Sequence, residues 1–197
     1  PSVATNLLPE IIKTFAAEFP GINLHLDDDS SRGVQHRVER NEVDFGIGSM
    51  WKPNKVLKFT PLFADKLELI CHRDHELAQN TAAIAWTQLD NVTFLDTGIT
   101  KTLRARHDAG ESKFNFPNIT TLVAMLRSNL GVSVLPSLAV PKSTNDLVSR
   151  SLVPSESRNI YLITRKGWTL SPAAEAMIDT ITRETPQQAE KYGLTML

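Results

Sequence analysis

Residues 7–48, LLPEIIKTFAAEFPGINLHLDDDSSRGVQHRVERNEVDFGIG, hold a helix–strand–helix–strand pattern with its punctuation in place. Leu8, Ile11, Ile12, Phe15, Ala16 and Phe19 recur at three-and-four spacing, which puts one apolar stripe on one helical face. Pro9 suits the first turn of that helix, where its missing N–H costs nothing, and Pro20-Gly21 ends it. Ile22, Leu24 and Leu26 then alternate with Asn23, His25 and Asp27, the signal of a strand. A more polar helix is expected over residues 32–40, with Ser30 and Ser31 as candidate N-caps, before residues 43–48 read as a buried strand. Strands alternating with helices imply an α/β fold with a parallel, doubly wound sheet.

Working outward, residues 49–54 form a loop by their Pro and Asn content. Residues 57–59 and 67–71 are extended pieces flanking Pro61. A short helical piece is expected at 86–89 and strands at 92–95, 113–116 and 132–135. Helices are expected over 100–109, with Gly110 as C-cap, and over 119–130, with Gly131 as the stop. Two more extended runs, 147–153 and 160–164, precede a last helix that Ser171 caps and Pro172 opens, reaching about Glu184. The tail after Pro186 reads as frayed.

The 197 residues suffice to bury a proper core in one or two domains, and 41% hydrophobic with 22% charged residues is ordinary for a globular chain. The net charge of −1 leaves no dominant basic surface, so this segment is not expected to grip nucleic acid by itself. Cys71 is the one cysteine, which excludes an intrachain disulfide and fits a reducing cytoplasm. No charged-then-apolar leader opens the chain, and no apolar run would span a bilayer.

Motifs for catalysis are missing. Gly46-Ile47-Gly48 lacks the third glycine of a dinucleotide fingerprint, there is no phosphate-loop Gly-Lys-Ser/Thr, and no nucleophile–base pair is visible, so no enzyme and no cofactor is expected. Cys71, His72 and His75 are of zinc-ligand type, but a zinc site needs more ligands than this cluster offers, and a strand end with a surface turn is the better reading. Asp27-Asp28-Asp29 lacks the spacing of a calcium loop and reads as a solvated strand end. No metal is therefore expected.

The arrangement with chemical meaning is a set of hydroxyls. In open α/β sheets ligands collect outside the carboxyl ends of the strands, where helix N-termini present unpaired N–H groups. Ser2, Ser31, Ser49 and Thr97 fall at such junctions. Each alone reads better as a cap or turn residue, and only the four together point to a ligand cleft.

The run LLPEIIKTFAAEFPGINLHL, the Ser-Ser turn, the helix ending in NEVDFGIG, and the later PLFADKLELICHRDHELA and NLGVSVLP together resemble the effector-binding domain of LysR-type transcriptional regulators, over almost the whole chain. The resemblance implies two Rossmann-like lobes of type 2 periplasmic-binding-protein architecture joined by two crossing strands: residues 1–72 with 167–197, and 73–166. It implies that residues 1–6 are the turn after a first strand that is missing here, leaving a sheet position unfilled, and that an N-terminal DNA-binding domain is absent from this chain. Asp44 then takes a backbone-capping role at a helix-to-strand junction. Effector contacts fall on Ser2, Val3, Ser31, Ser49, Thr97 and Gly98, with Thr100 and Lys101 at the next helix start. The implied effector is a small molecule in the interlobe cleft, whose binding changes the arrangement of DNA-binding domains in the full-length oligomer. The implied partner is a second copy, as homodimer or tetramer, through helices 8–19 and 119–130; their stripes would equally serve each lobe's own core. Hydroxyls and helix N-termini, with Lys101 and Arg32 as nearby bases, favour a small anion such as a carboxylate. A solute-binding protein of a transporter shares this fold and is the alternative.

Overall fold

A computed structural model of the chain describes residues 1–79, 81–109, 112–140 and 145–197. A π-helical turn, Val3–Leu7, leads into α1 (Leu8–Glu18), followed by α2 (Ser31–Glu39), β1 (Gly46–Gly48) and the long β2 (Leu57–His72). Then come β3 (Ile84–Ala85), β4 (Leu95–Asp96), α3 (Gly98–Arg106), β5 (Phe114–Asn115) and α4 (Ile119–Arg127). β6 (Ser133–Pro136), β7 (Leu147–Arg150), β8 (Leu152–Val153), β9 (Glu156–Arg165), α5 (Pro172–Tyr192) and β10 (Thr195–Met196) complete the order. The chain divides into two compact units, Pro1–Asp65 with Arg158–Leu197, and Lys66–Ser157, so the boundaries fall inside β2 and β9.

In the first unit the apolar stripe of α1 buries Leu8, Ile11 and Phe15 as the helix packs along α5, which contributes Ala174, Met177 and Ile181. Each such side chain stabilises by roughly 1.5–3 kcal/mol when fully buried. Ser171 caps α5 by accepting the Ala174 N–H at 3.2 Å. A smaller cluster of Val38, Leu57 and Ile163 lies under α2. β1 pairs antiparallel with β9, Gly46 opposite Ile163, and β10 pairs antiparallel with β2, Thr195 opposite Ala64. Gly46 is needed for close approach: a Cβ there would meet the Val34 side chain at 2.6 Å, so only glycine lets α2 lie this near the strand.

In the second unit β2 continues and alternates faces. Leu67, Leu69 and Cys71 enter one cluster with Trp86, Phe94 and Val134, while Ile70 enters the other with Leu95, Leu122 and Leu126. β6 and β7 pair antiparallel with β2; β4 with β5 and β3 with β8 are parallel.

Three expectations need correction. Residues 22–27 have the alternation of a strand but pair with nothing: no backbone–backbone hydrogen bond is made by residues 23–28 among the described residues, and Leu24 and Leu26 are exposed. Alternation marks a face, whereas a strand also needs a neighbouring backbone edge, and a cavity stands on that side instead. Second, the parallel pairing expected of the opening stretch is found in the second unit, not there. Third, the tail does not fray at Pro186. α5 runs through it to Tyr192 because Thr185, Gln188 and Ala189 are buried on both sides of the proline, and Gly193, at φ +66°, ends the helix. Asn129, at φ +57°, stops α4 ahead of Gly131, and the expected cap Gly110 lies outside the described residues.

Candidate functional site

In the first unit the sheet position expected to be left unfilled is a gap of about 610 Å³. One flank is the unpaired segment from Ile22 to Asp29 and the other is β1, while Leu8, Phe15, Met177 and Ile181 supply apolar walls from α1 and α5. Ser2, Val3, Ser31 and Ser49, which sequence placed at three separate junctions, all line it.

Each is set by a different local device. Ser2 is 7% exposed, and its Oγ accepts from Arg158 Nη2 at 2.7 Å. Arg158 in turn donates to Asp65 Oδ2 through Nη2 at 2.8 Å and Nε at 3.2 Å, and Asp65 is fully buried. Ser31 opens α2; its neighbour Ser30 is the cap, accepting the Gly33 N–H at 3.1 Å. The Asp29 carboxylate lies against the same turn, in the space that a Cβ on Gly33 would take. Asp29 accepts the Ser30 N–H at 2.7 Å, which, joined by Arg37, holds its carboxyl below the usual range. Ser49 begins the loop after β1, and Gln35 pins that loop: buried on α2, its Oε1 accepts from Trp51 N at 3.1 Å and Lys52 N at 3.3 Å, and its Nε2 donates to Lys52 O at 2.9 Å.

In the second unit Thr97 caps α3, its Oγ1 accepting the Thr100 N–H at 3.5 Å, and Gly98 is the exposed first residue of the helix. Thr100 is fully buried. Its hydroxyl accepts the Thr97 N–H and has two acceptors at 3.1 Å for its proton, Asp96 Oδ1 and Thr97 O. Arg104 closes the cluster with Nε 3.0 Å from Asp96 Oδ1 and Nη2 2.6 Å from Oδ2, its guanidinium 5.0 Å from the Phe94 ring centroid. Lys101 is exposed. The structure thus presents Thr97, Gly98 and Lys101 at a helix start, while Thr100 is turned inward.

The zinc-type cluster is occupied by turns: Cys71 is buried, His72 Nδ1 accepts the Asp74 N–H and His75 Nδ1 the Leu77 N–H, both at 3.2 Å. Among the described residues no group of three His, Cys, Asp or Glu could hold a metal, and no helix is long and apolar enough to cross a membrane.

Sequence reading missed Arg158, Asp65, Gln35, Asp96 and Arg104. Gln35 had a signal, a polar residue beside Val34 and Val38 on the inner side of α2. Asp96, at a strand end one residue before a cap, had another. Arg158 had none, since Ser2 lies 156 residues away.

Residues 1–186 match the family described as the LysR substrate binding domain. Among curated relatives, the uncharacterized HTH-type transcriptional regulator YfeR of Shigella flexneri is 28% identical over 91% of this chain and 61% of its own length. The hydrogen peroxide-inducible genes activator of Dickeya chrysanthemi is 26% identical over 98% and 67%. The chain thus spans about two thirds or less of these relatives. Among solved structures, the regulatory domain of CcmR from Synechocystis PCC6803 in complex with 2-PG superposes with a TM-score of 0.84, at 22% identity over 93% of both chains. The effector-binding domain of QuiR in complex with shikimate gives 0.81, at 20% identity over 94% and 93%. These two share the fold, with its periplasmic-binding-protein-like pair of lobes. By the match over residues 1–186, the chain belongs to the LysR substrate-binding domain family.

Proposed function

We propose that the domain senses a small polar metabolite, read by Ser2, Val3, Ser31 and Ser49 in the first unit and by Thr97, Gly98 and Lys101 in the second, Thr100 supporting Thr97 from within. The observation that carries this reading is the placing of hydroxyls at helix starts, Ser31 as the first residue of α2 and Thr97 as the cap of α3. Hydroxyl and N–H donors at helix starts favour an anionic group on the ligand, a carboxylate above all. The relatives crystallised with shikimate and 2-PG support a small, oxygen-rich effector. In the full-length protein, as homodimer or tetramer in the cytoplasm, binding changes the arrangement of attached DNA-binding domains. A ligand does this only through different affinities for two arrangements, with couplings typically of about 1–3 kcal/mol. The role is sensing, not catalysis, and a transporter's solute-binding protein is disfavoured because the curated relatives are transcriptional regulators.

The peroxide-responsive relative raises a second reading, oxidation of a thiol. Cys71 opposes it: the side chain is fully buried, and burial pushes the thiol up to about 11, away from the reactive thiolate. The test is calorimetry of the domain against shikimate, benzoate, succinate and glycolate. Ser31→Ala and Ser49→Ala are each expected to weaken whichever carboxylate binds by about 0.5–3 kcal/mol. Unchanged affinity in both variants removes these residues from the site.

A further inference from the structure

We infer that the end of the first unit's sheet where β2 begins and β9 ends contacts the phosphate backbone of duplex DNA, in addition to the attached DNA-binding domains. The inference rests on the regulator reading above only in that the full-length protein holds DNA close by. It uses neither the effector nor its site.

The sequence supplies the charge. Residues 45–64 and 159–174 contain no Asp or Glu, and they carry Lys52, Lys55, Lys58, Arg165 and Lys166. The whole-chain balance of −1 conceals this local excess. The fold brings the two segments together: β9 lies beside β2 in the sheet, and Lys166 N donates to Val56 O at 2.9 Å. Lys58, two residues on from Val56, is about 7 Å further along the chain. The approach to β2 is held in place as well. Asn54 Oδ1 accepts the Val56 N–H at 2.9 Å, and the Gln35 side chain bonds both Lys52 N and Lys52 O.

These cations lack acidic partners. Arg37, Arg104, Arg106, Arg127, Arg158 and Arg183 each lie 2.6–3.3 Å from a carboxylate oxygen. Among the described residues none of Lys52, Lys55, Lys58, Arg165 and Lys166 is so paired. The four lysines are exposed, and Arg165 is half-buried with its guanidinium carbon 4.3 Å from the ring centroid of Trp168. That ring holds the guanidinium, and one of its faces is thereby covered. A like-signed group of charges with no carboxylate in its segments attracts a polyanion. Lysine is depleted at protein–protein interfaces and is a regular phosphate contact, so four lysines and one arginine fit a nucleic acid backbone better than an acidic protein. Such contacts are weak singly. Tethering through the attached domains raises the effective concentration to about the millimolar range, at which a weak contact is populated.

The test is fluorescence anisotropy of a labelled duplex of about 30 base pairs and arbitrary sequence, titrated with the whole chain at about 20 to 150 mM salt without effector. Five cations neutralise at most five phosphates, so log affinity against log salt should fall with a slope of about −3 to −4.5. Lys58→Gln/Lys166→Gln should weaken binding at low salt by roughly tenfold and flatten the slope by about 2. Lys66→Gln/Lys113→Gln removes the same charge from exposed positions of the second unit and should leave affinity and slope unchanged. No binding by folded wild type at low salt overturns the inference. An equal loss in both double variants also overturns it, since the response would then be to net charge alone. Tighter binding of poly-glutamate than of the duplex would assign the surface, with the exposed Trp51 beside Lys52, to an acidic protein. Tighter binding to phosphatidylserine vesicles would assign it to a lipid surface, and either result overturns the DNA contact. None of these outcomes touches the effector site, and loss of the effector reading would leave this surface standing.

Discussion

The first turn of α2 in the first unit and that of α3 in the second both begin with hydroxyl residues, yet their surroundings differ. At α2, Ser30 takes the capping bond, and Ser31, half-buried, lines a cavity of about 610 Å³. At α3, Thr97 and Thr100 bond to one another, Thr100 donates to Asp96, and Arg104 closes the cluster within eight residues of sequence. One helix start leaves Ser31 without a capping bond, and the other turns Thr100 inward while Gly98 and Lys101 stay exposed. The difference is not in the hydroxyls but in what lies beside them: an extended segment that pairs with nothing in one case, a buried carboxylate with its arginine in the other.

The strongest way to break this contrast is Arg104→Ala. Both partners are 8% exposed, and removing the cation leaves Asp96 charged and buried, which costs about 3–5 kcal/mol in comparable pairs. Urea denaturation followed by circular dichroism should register a loss of that size. A loss under about 1 kcal/mol would mean that water reaches Asp96 and that the cluster is not closed.

A smaller pair of effects separates the two helix starts directly. Thr100→Val should lower stability by about 1–3 kcal/mol, because it leaves the buried Thr97 N–H without its acceptor. Ser31→Ala should leave stability within about 0.5 kcal/mol of wild type, since a half-buried hydroxyl with no capping role is lost. If calorimetric unfolding ranks the two the other way, the open and closed assignments are exchanged.

How much of this was legible in the sequence follows from the range of each interaction. The three-and-four spacing of α1 and the caps at Ser30, Thr97 and Ser171 are local, and they appear in the structure as the residues suggest. The alternation at residues 22–27 was legible as a face and misleading as a strand, because pairing is a property of the neighbour, not of the segment. Helix α5 was cut short in reading because Pro186 lacks an N–H, a local cost that burial of Thr185 and Ala189 outweighs. Three of the residues on the cavity wall were found by junction logic. Their partners Arg158 and Asp65 were not, since separations of 156 and 93 residues leave no trace in a local pattern.

The second unit's habit of closing its polar groups has a pH consequence. Burial raises the Glu156 carboxyl, but hydrogen bonds from His107 at 2.7 Å and Arg106 at 3.0 Å together outweigh it and hold the group below its ordinary 4.5. A depressed folded value means that this stabilisation is fully present above pH 4.5 and is lost as pH falls through the folded value. Arg106 is more than half exposed, so the contribution is about 0.2–1 kcal/mol. Glu156→Gln should remove that part of the acid sensitivity between pH 5 and 3 in thermal unfolding curves. An identical pH profile in the variant would show that the pair contributes nothing.

The smallest expected effect is none at all, and it tests the same closure at Cys71. The thiol sits in the second unit's core with Leu69, Trp86 and Val134, is fully buried, and is pushed up to about 11 by desolvation, with Arg150 pulling weakly the other way. At pH 7 roughly one such thiol in ten thousand is ionised, against about 3% for a free cysteine. Reaction with peroxide or iodoacetamide requires both the thiolate and access to it, and this position withholds both. Native protein exposed to millimolar peroxide should therefore gain no oxygen at Cys71 by peptide mass mapping, whatever the exposed Met50 and Met196 take up. After unfolding in urea the same thiol should be alkylated at the rate of an ordinary one. Labelling of the native protein at the unfolded rate would mean that the second unit opens readily around β2, and the contrast between an open first unit and a closed second one would fail.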